Sequence, residues 1–103
     1  MSSSAESITR PVATTVHVTE DTLTVEMRDG RTVSVPTMWY PRLNHATAEE
    51  RQGWELIGGG SGIHWEAVDE DISVEALLEG KGSNESQESL RCWLEKRSIQ
   101  PFA

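Results

Sequence analysis

From Val12 to Val35 apolar and polar residues alternate with the period of a β-strand. Val16 and Val18 share one face, as do Leu23, Val25 and Met27, and as do Val33 and Val35. Register decides whether these runs pair. A turn at Glu20-Asp21 sets Val18 opposite Leu23 and Val16 opposite Val25. A two-residue loop at Asp29-Gly30 would set Val25 opposite Ser34 and send the apolar residues of the two strands to opposite faces. A three-residue loop, Arg28-Asp29-Gly30, sets Val25 opposite Val33 and Leu23 opposite Val35. It also puts Gly30 at the left-handed position such loops require. The pattern predicts a three-stranded antiparallel meander with one apolar face.

Beyond Pro36, which ends that sheet segment, the periods become short. Thr37 is expected to cap a short helix through Trp39 and Leu43. Thr47, with Glu50 three residues on, fits a capping box for a second short helix near Ala48 to Gly53. Trp54 to Ile57 and Ile63 to Trp65 read as a small second β-hairpin, joined by a flexible loop at Gly58-Gly59-Gly60-Ser61-Gly62. Ser73 to Leu78 reads as a short helix ended by Gly80, with Asp69 or Asp71 accepting backbone N–H bonds at its start. A last helix is expected from about Glu85 to Arg97, capped by Asn84 or Ser83 and ended by Pro101. Leu90, Trp93 and Leu94 fall on its one apolar stripe, with Glu88, Glu95 and Lys96 outside it. The fold class is therefore α+β. Residues 1–11 form a loose tail, 12–80 the α+β domain, 81–86 a linker and 87–103 a C-terminal helical extension.

Composition narrows the function classes. The chain has 103 residues, enough for one small core, and a net charge of -8. An acidic surface repels phosphate backbones, so direct nucleic-acid binding is disfavoured and a basic protein partner is favoured. No apolar run approaches the roughly 18 residues that span a bilayer, and Met1-Ser2-Ser3-Ser4-Ala5-Glu6 has no apolar signal core. A cytoplasmic location is expected, and the single Cys92 agrees with a reducing compartment.

Candidate chemistry is sparse. The Gly58–Gly62 loop lacks the Lys-Ser/Thr of a phosphate cradle and the glycine spacing of a dinucleotide site or of a nucleophile elbow around Ser61. His17, His45 and His64 show no helical zinc-ligand spacing. His64 does lie two residues from Glu66 and five from Asp69, so these three are the candidates for a metal-assisted or acid–base site, and strand alternation puts His64 and Glu66 on one side and Trp65 on the other. Glu66, Asp69, Glu70, Asp71 and Glu75 read more simply as an acidic turn before a helix, and they do not match a calcium loop. Cys92 sits near a helix C-terminus, where the dipole disfavours thiolate. No cofactor is expected. Trp54, Trp65 and Trp93 read as core, whereas Trp39-Tyr40, stiffened between Pro36 and Pro41 and followed by Arg42, read as an interface anchor.

Several of these segments occur together in a recognisable order. An alternating meander with Asp29-Gly30 is followed by Trp39-Tyr40-Pro41-Arg42-Leu43, Ala46, Glu49 to Arg51, and Trp54-Glu55-Leu56. Gly62-Ile63-His64-Trp65 then leads to Asp69-Glu70-Asp71-Ile72-Ser73. Over roughly residues 12–80 the chain resembles the domain of unknown function 2442 family of bacterial proteins. The resemblance implies a small α+β domain and assigns no catalytic residue. It also implies a genetic neighbourhood, since members are often encoded beside small toxin-like proteins.

These observations point to a non-enzymatic protein-interaction module, an antitoxin-like neutraliser or a small subunit of a bacterial protein complex. Its partner-binding residues would be Trp39, Tyr40 and Arg42, with Leu90, Trp93 and Leu94 of the terminal helix second. That helix has three options: packing on its own domain, pairing with its own copy in a homodimer, or docking on a basic or toxin-like partner. The alternatives are a small enzyme using His64, Glu66 and Asp69, and a DNA-binding regulator acting through the terminal helix, where Arg91, Lys96 and Arg97 are opposed by Glu85, Glu88 and Glu95.

Overall fold

A computed structural model describes residues 11–99. Most of the tail expected at residues 1–11, and Pro101, lie outside them. Strands β1 (Ala13–Val18), β2 (Thr22–Met27) and β3 (Thr32–Pro36) form the antiparallel meander in the order β1-β2-β3. Its register is the one the apolar pattern selects: Val16 faces Val25, Val18 faces Leu23, Val25 faces Val33 and Leu23 faces Val35. Gly30 takes φ +96° in the loop between β2 and β3, where a side chain would be strained. One departure is a bulge at Thr14, where the pairing slips between Ala13 and Thr15 and the Thr14 hydroxyl donates to Glu26 O. The extra residue lets Ala13 and Val16, three apart, both reach the buried face.

Thr37 does not cap a helix. It lies at the start of a 3-10 turn, Thr37–Trp39, whose N-cap is Pro36. The Thr37 side chain is fully buried and its hydroxyl donates to Thr19 O at 2.9 Å. Tyr40, the residue before Pro41, has non-helical backbone (φ -125°, ψ 86°), so the turn stays short and a separate helix, α1 (Pro41–Asn44), starts with proline at its first position. Helix α2 (Ala48–Arg51) has the expected capping box: Thr47 Oγ1 accepts from Glu50 N, and Glu50 Oε1 accepts from Thr47 N. Arg51 then closes α1, donating to Leu43 O and Asn44 O.

The second hairpin, β4 (Trp54–Ile57) and β5 (Gly62–Trp65), carries a third strand, β6 (Glu70–Ser73), in a sheet of order β4-β5-β6. The acidic segment expected to cap a helix is thus mostly strand. Ser73 caps helix α3 (Val74–Leu78) by accepting from Ala76 N, and neither Asp69 nor Asp71 does so. The helix ends in a left-handed Gly80, with Gly80 N donating to Leu77 O and Lys81 N to Ala76 O. The glycine run between β4 and β5 is an ordered turn rather than a flexible loop: Gly58–Gly60 form a 3-10 turn and the Ser61 hydroxyl donates to Gly58 O. The terminal helix α4 (Gln87–Ile99) starts two residues later than expected, because Ser86, not Asn84 or Ser83, accepts from Ser89 N.

One core joins both sheets to the helices. Val16, Leu23 and Val25 of the meander, Leu43, Ile63, Trp65, Ile72, Val74 and Leu77 are all buried in it. Trp65 is fully buried and its indole N–H donates to Arg51 O.

Two glycines in left-handed turns should respond differently to a methyl group. At Gly30 nothing lies within 4 Å of an added Cβ, so Gly30→Ala meets only the backbone penalty, about 1–2 kcal/mol. At Gly60, φ is +103° and a Cβ would lie 2.6 Å from Val12 Cγ1 and 2.9 Å from Ala13 O. Gly60→Ala is expected to cost clearly more than Gly30→Ala in chemical denaturation. Equal losses would show that the glycine turn yields freely against β1.

Candidate functional site

Two regions gather charged side chains, and both are set by sheet register. The first is the outer face of the second sheet. Glu55 pairs with His64, and His64 with Asp71, so one residue from each strand stands in a row. Glu66, two residues past His64, returns to the same face. His64 Nδ1 is hydrogen-bonded to Asp71 Oδ1, and its Nε2 lies 2.9 Å from Glu66 Oε1. The carboxylates of Glu66 and Asp71 raise the His64 pKa to about 9, so the imidazole is held as a cation at neutral pH. Of the three residues named for a metal-assisted or acid–base site, His64 and Glu66 meet. Asp69 does not: it is a left-handed residue closing the 3-10 turn Glu66–Val68, and Asp71 takes the place beside His64. A strand-pairing register that the sequence pattern did not contain brings Asp71 and Glu55 in.

The second region is the joint between the domain and α4. Arg42, on α1, donates through Nε and Nη2 to the Glu85 carboxylate, at 2.6 Å for the shortest contact, and through Nη1 to Val68 O. Its guanidinium also lies 5.0 Å from the Trp93 ring, with Arg97 at 4.7 Å. Arg97 in turn pairs with Glu50. Glu85 is held below the usual carboxylate range by the hydrogen bond from Arg42, and Glu50 by that from Arg97. A cleft of about 390 Å³ adjoins this joint, lined among others by Tyr40, Glu70, Ser73, Lys81 and Glu85. Register explains its most unusual member. Glu70 pairs with Trp65 and so turns to the core side of the sheet. Burial first, and then the nearby Glu85, push its pKa up to about 7.

The expected partner-binding residues separate in the structure. Tyr40 is only 3% exposed and its hydroxyl donates to Lys81 O. Arg42 and Trp93 face each other inside the joint. Leu90 and Leu94 are half-buried and line an open groove with Gln87, Glu88 and Arg91. Trp39 remains at the surface at 37% exposure, beside Met38 at 69%. Met38 was not singled out from the sequence; its place in a turn too short to bury it is the signal that finds it.

The sequence model described as "Protein of unknown function (DUF2442)" matches residues 13–83, and the chain belongs to that family. No curated protein matches the chain. Among solved structures, a crystal structure of a protein of unknown function from Rhodospirillum rubrum is 25% identical, with a TM-score of 0.66. That match covers 77% of this chain and 98% of the other. The solution NMR structure of an uncharacterized protein from Chromobacterium violaceum is 21% identical with a TM-score of 0.61, covering 87% of this chain and 79% of the other. These likenesses support the fold. Among the described residues, no helix is long and apolar enough to cross a membrane.

Two outcomes follow from this geometry. Arg42→Ala leaves the mostly buried Glu85 carboxylate without its cation, at a cost of about 1–3 kcal/mol. Faster amide exchange along α4 than in the meander is its expected signature, and unchanged protection of α4 would refute the joint. Glu70 binds its proton more tightly folded than unfolded, because its folded pKa is raised from 4.5 to about 7. The stability this supplies is complete below the ordinary value and is lost as pH rises through about 7. Glu70→Gln removes that loss, so its melting temperature should exceed wild type near pH 8 and converge with it in acid. Parallel curves across the range would contradict a buried Glu70.

Proposed function

We propose, with membership of that family as the premise, that the chain is a non-enzymatic protein-interaction module. It acts as an antitoxin-like neutraliser or as a small subunit of a bacterial protein complex. The observation that carries this reading is the Met38-Trp39 pair. Both side chains are exposed, yet their backbone is fixed on each side. Pro36 and Pro41 flank the turn, Thr37 is anchored to Thr19 O, and Trp39 O accepts from Ser83 N. A large apolar pair already held in place loses little freedom on binding, which is what an interface anchor needs. The anchor thereby moves from Trp39, Tyr40 and Arg42 to Trp39 and Met38, with Leu90 and Leu94 as a second surface. The net charge of -8 favours a basic partner, whose capture it would speed and steer.

The rival readings have weaker support. Both ring nitrogens of His64 are engaged by carboxylates of Glu66 and Asp71, and Asp69, the third residue of the rival enzyme site, stands apart from them. For DNA binding, α4 presents Glu88 and Glu95 on its exposed surface beside Arg91 and Lys96.

Affinity purification of the tagged chain from its source bacterium at physiological salt, beside the double variant Met38→Ala/Trp39→Ala, tests the reading. Wild type is expected to carry a basic protein that the variant loses, while the two melt within a few degrees of each other. A wild-type chain that purifies alone, or equal capture by both, ends the proposal.

A further inference from the structure

The row of side chains across the second sheet has a use that partner binding does not explain. Glu55, His64 and Glu66 each offer a ligand atom, and these atoms lie within 4.8 Å of one another. Glu55 and His64 are direct cross-strand partners, so their spacing is fixed by backbone pairing and not by chance approach of surface side chains. Glu55 makes no hydrogen bond to the His64 ring, which is engaged by Glu66 and Asp71. The imidazole is oriented as well as present. Asp71 holds Nδ1, and Nε2 faces Glu66. A carboxylate on one ring nitrogen with the other directed at oxygen donors is the arrangement by which proteins orient a histidine toward a metal ion.

We propose that Glu55, His64 and Glu66 form a binding site for a single divalent transition-metal cation of the zinc type, with Asp71 as the positioning residue for His64. One imidazole nitrogen and two carboxylates suit zinc and its neighbours better than calcium or magnesium, which take oxygen ligands. Ligands at about 2.0–2.2 Å from a tetrahedral ion stand roughly 3.4 Å apart. Glu66 Oε1 already lies 2.9 Å from Nε2, and the exposed side chains of Glu55 and Glu66 are free to adjust around an ion by rotation. The ion displaces the Nε2 proton, which leaves to solvent, and Glu66 changes from hydrogen-bond acceptor to ligand. Three protein ligands on an open sheet face leave a fourth position for water or for a donor atom from a partner.

Titration of the chelator-treated 103-residue chain with zinc chloride, followed by calorimetry, tests the site. Wild type should bind one equivalent, and His64 ring resonances should shift on addition. Glu55→Gln is the decisive variant, because this exposed residue takes no part in the His64 ion pairs. It should keep the wild-type melting temperature and lose about tenfold or more in affinity; Asp71→Asn should show a similar loss of affinity. His45→Gln, at an exposed histidine elsewhere, should bind like wild type. Calcium and magnesium should not compete. Absence of binding to wild type, equal affinity in Glu55→Gln, or an equal loss in His45→Gln overturns the site. None of these results depends on whether Met38 and Trp39 capture a partner.

Discussion

The guanidinium of Arg42 is the junction on which the placement of the terminal helix depends. It reaches the chain at Val68, Glu85 and Trp93, so it ties the end of the second hairpin to the root and middle of the terminal helix. Arginine suits this role because its planar fork donates in several directions at once while its face stacks on an indole. The same logic continues outward. Trp93 is covered on its other contact by Arg97, Arg97 holds Glu50, and Glu50 closes the capping box of α2. A half-buried ion pair adds less to stability than an apolar contact of the same size, but it admits far fewer geometries. Helix α4 is therefore positioned by charge and ring geometry, with Trp93 its only side chain packed against the core among the described residues.

Legibility in the sequence followed the range of the interaction. The meander was readable to its register because alternation and the turn length at Arg28-Asp29-Gly30 constrain one another locally. The capping box at Thr47 was readable for the same reason. The strand β6 was not, because Glu70-Asp71-Ile72-Ser73 carries acidic residues at both faces and only pairing with β5 makes it a strand. Long-range partners hid the rest. Thr37 looks like a cap until Thr19 O is placed beside it, and Tyr40 and Arg42 look like surface anchors until the 81–85 segment folds back over them. The pairing of His64 with Glu66 was visible from alternation, whereas Glu55 and Asp71 needed the registers of two neighbouring strands.

Each face of the second sheet breaks the usual division of labour. The core side accepts a carboxylate at Glu70, and the solvent side carries a histidine with both ring nitrogens engaged. Both depart from what packing and solubility alone would select. Local conflict of this sort is concentrated where a fold serves something besides its own stability. The first sheet, by contrast, is consistent at every level, with apolar side chains inward and Thr, Ser and Glu outward. The titratable side chains that break this pattern lie in the second sheet.

Descent with variation should leave its mark at the triple-glycine turn. Gly58, Gly59 and Gly60 all have positive φ, and Gly60 lies against the backbone of Ala13 at the far end of the chain. Lengthening the turn would push it into β1, and any side chain at Gly60 would do the same. Insertions among related sequences should thus be rarer in this hairpin than at the Asp29-Gly30 tip, where nothing lies within 4 Å of a Cβ added at Gly30. A gap-free glycine triplet in a lineage whose other loops drift in length would be the historical trace of a contact between residues almost fifty positions apart.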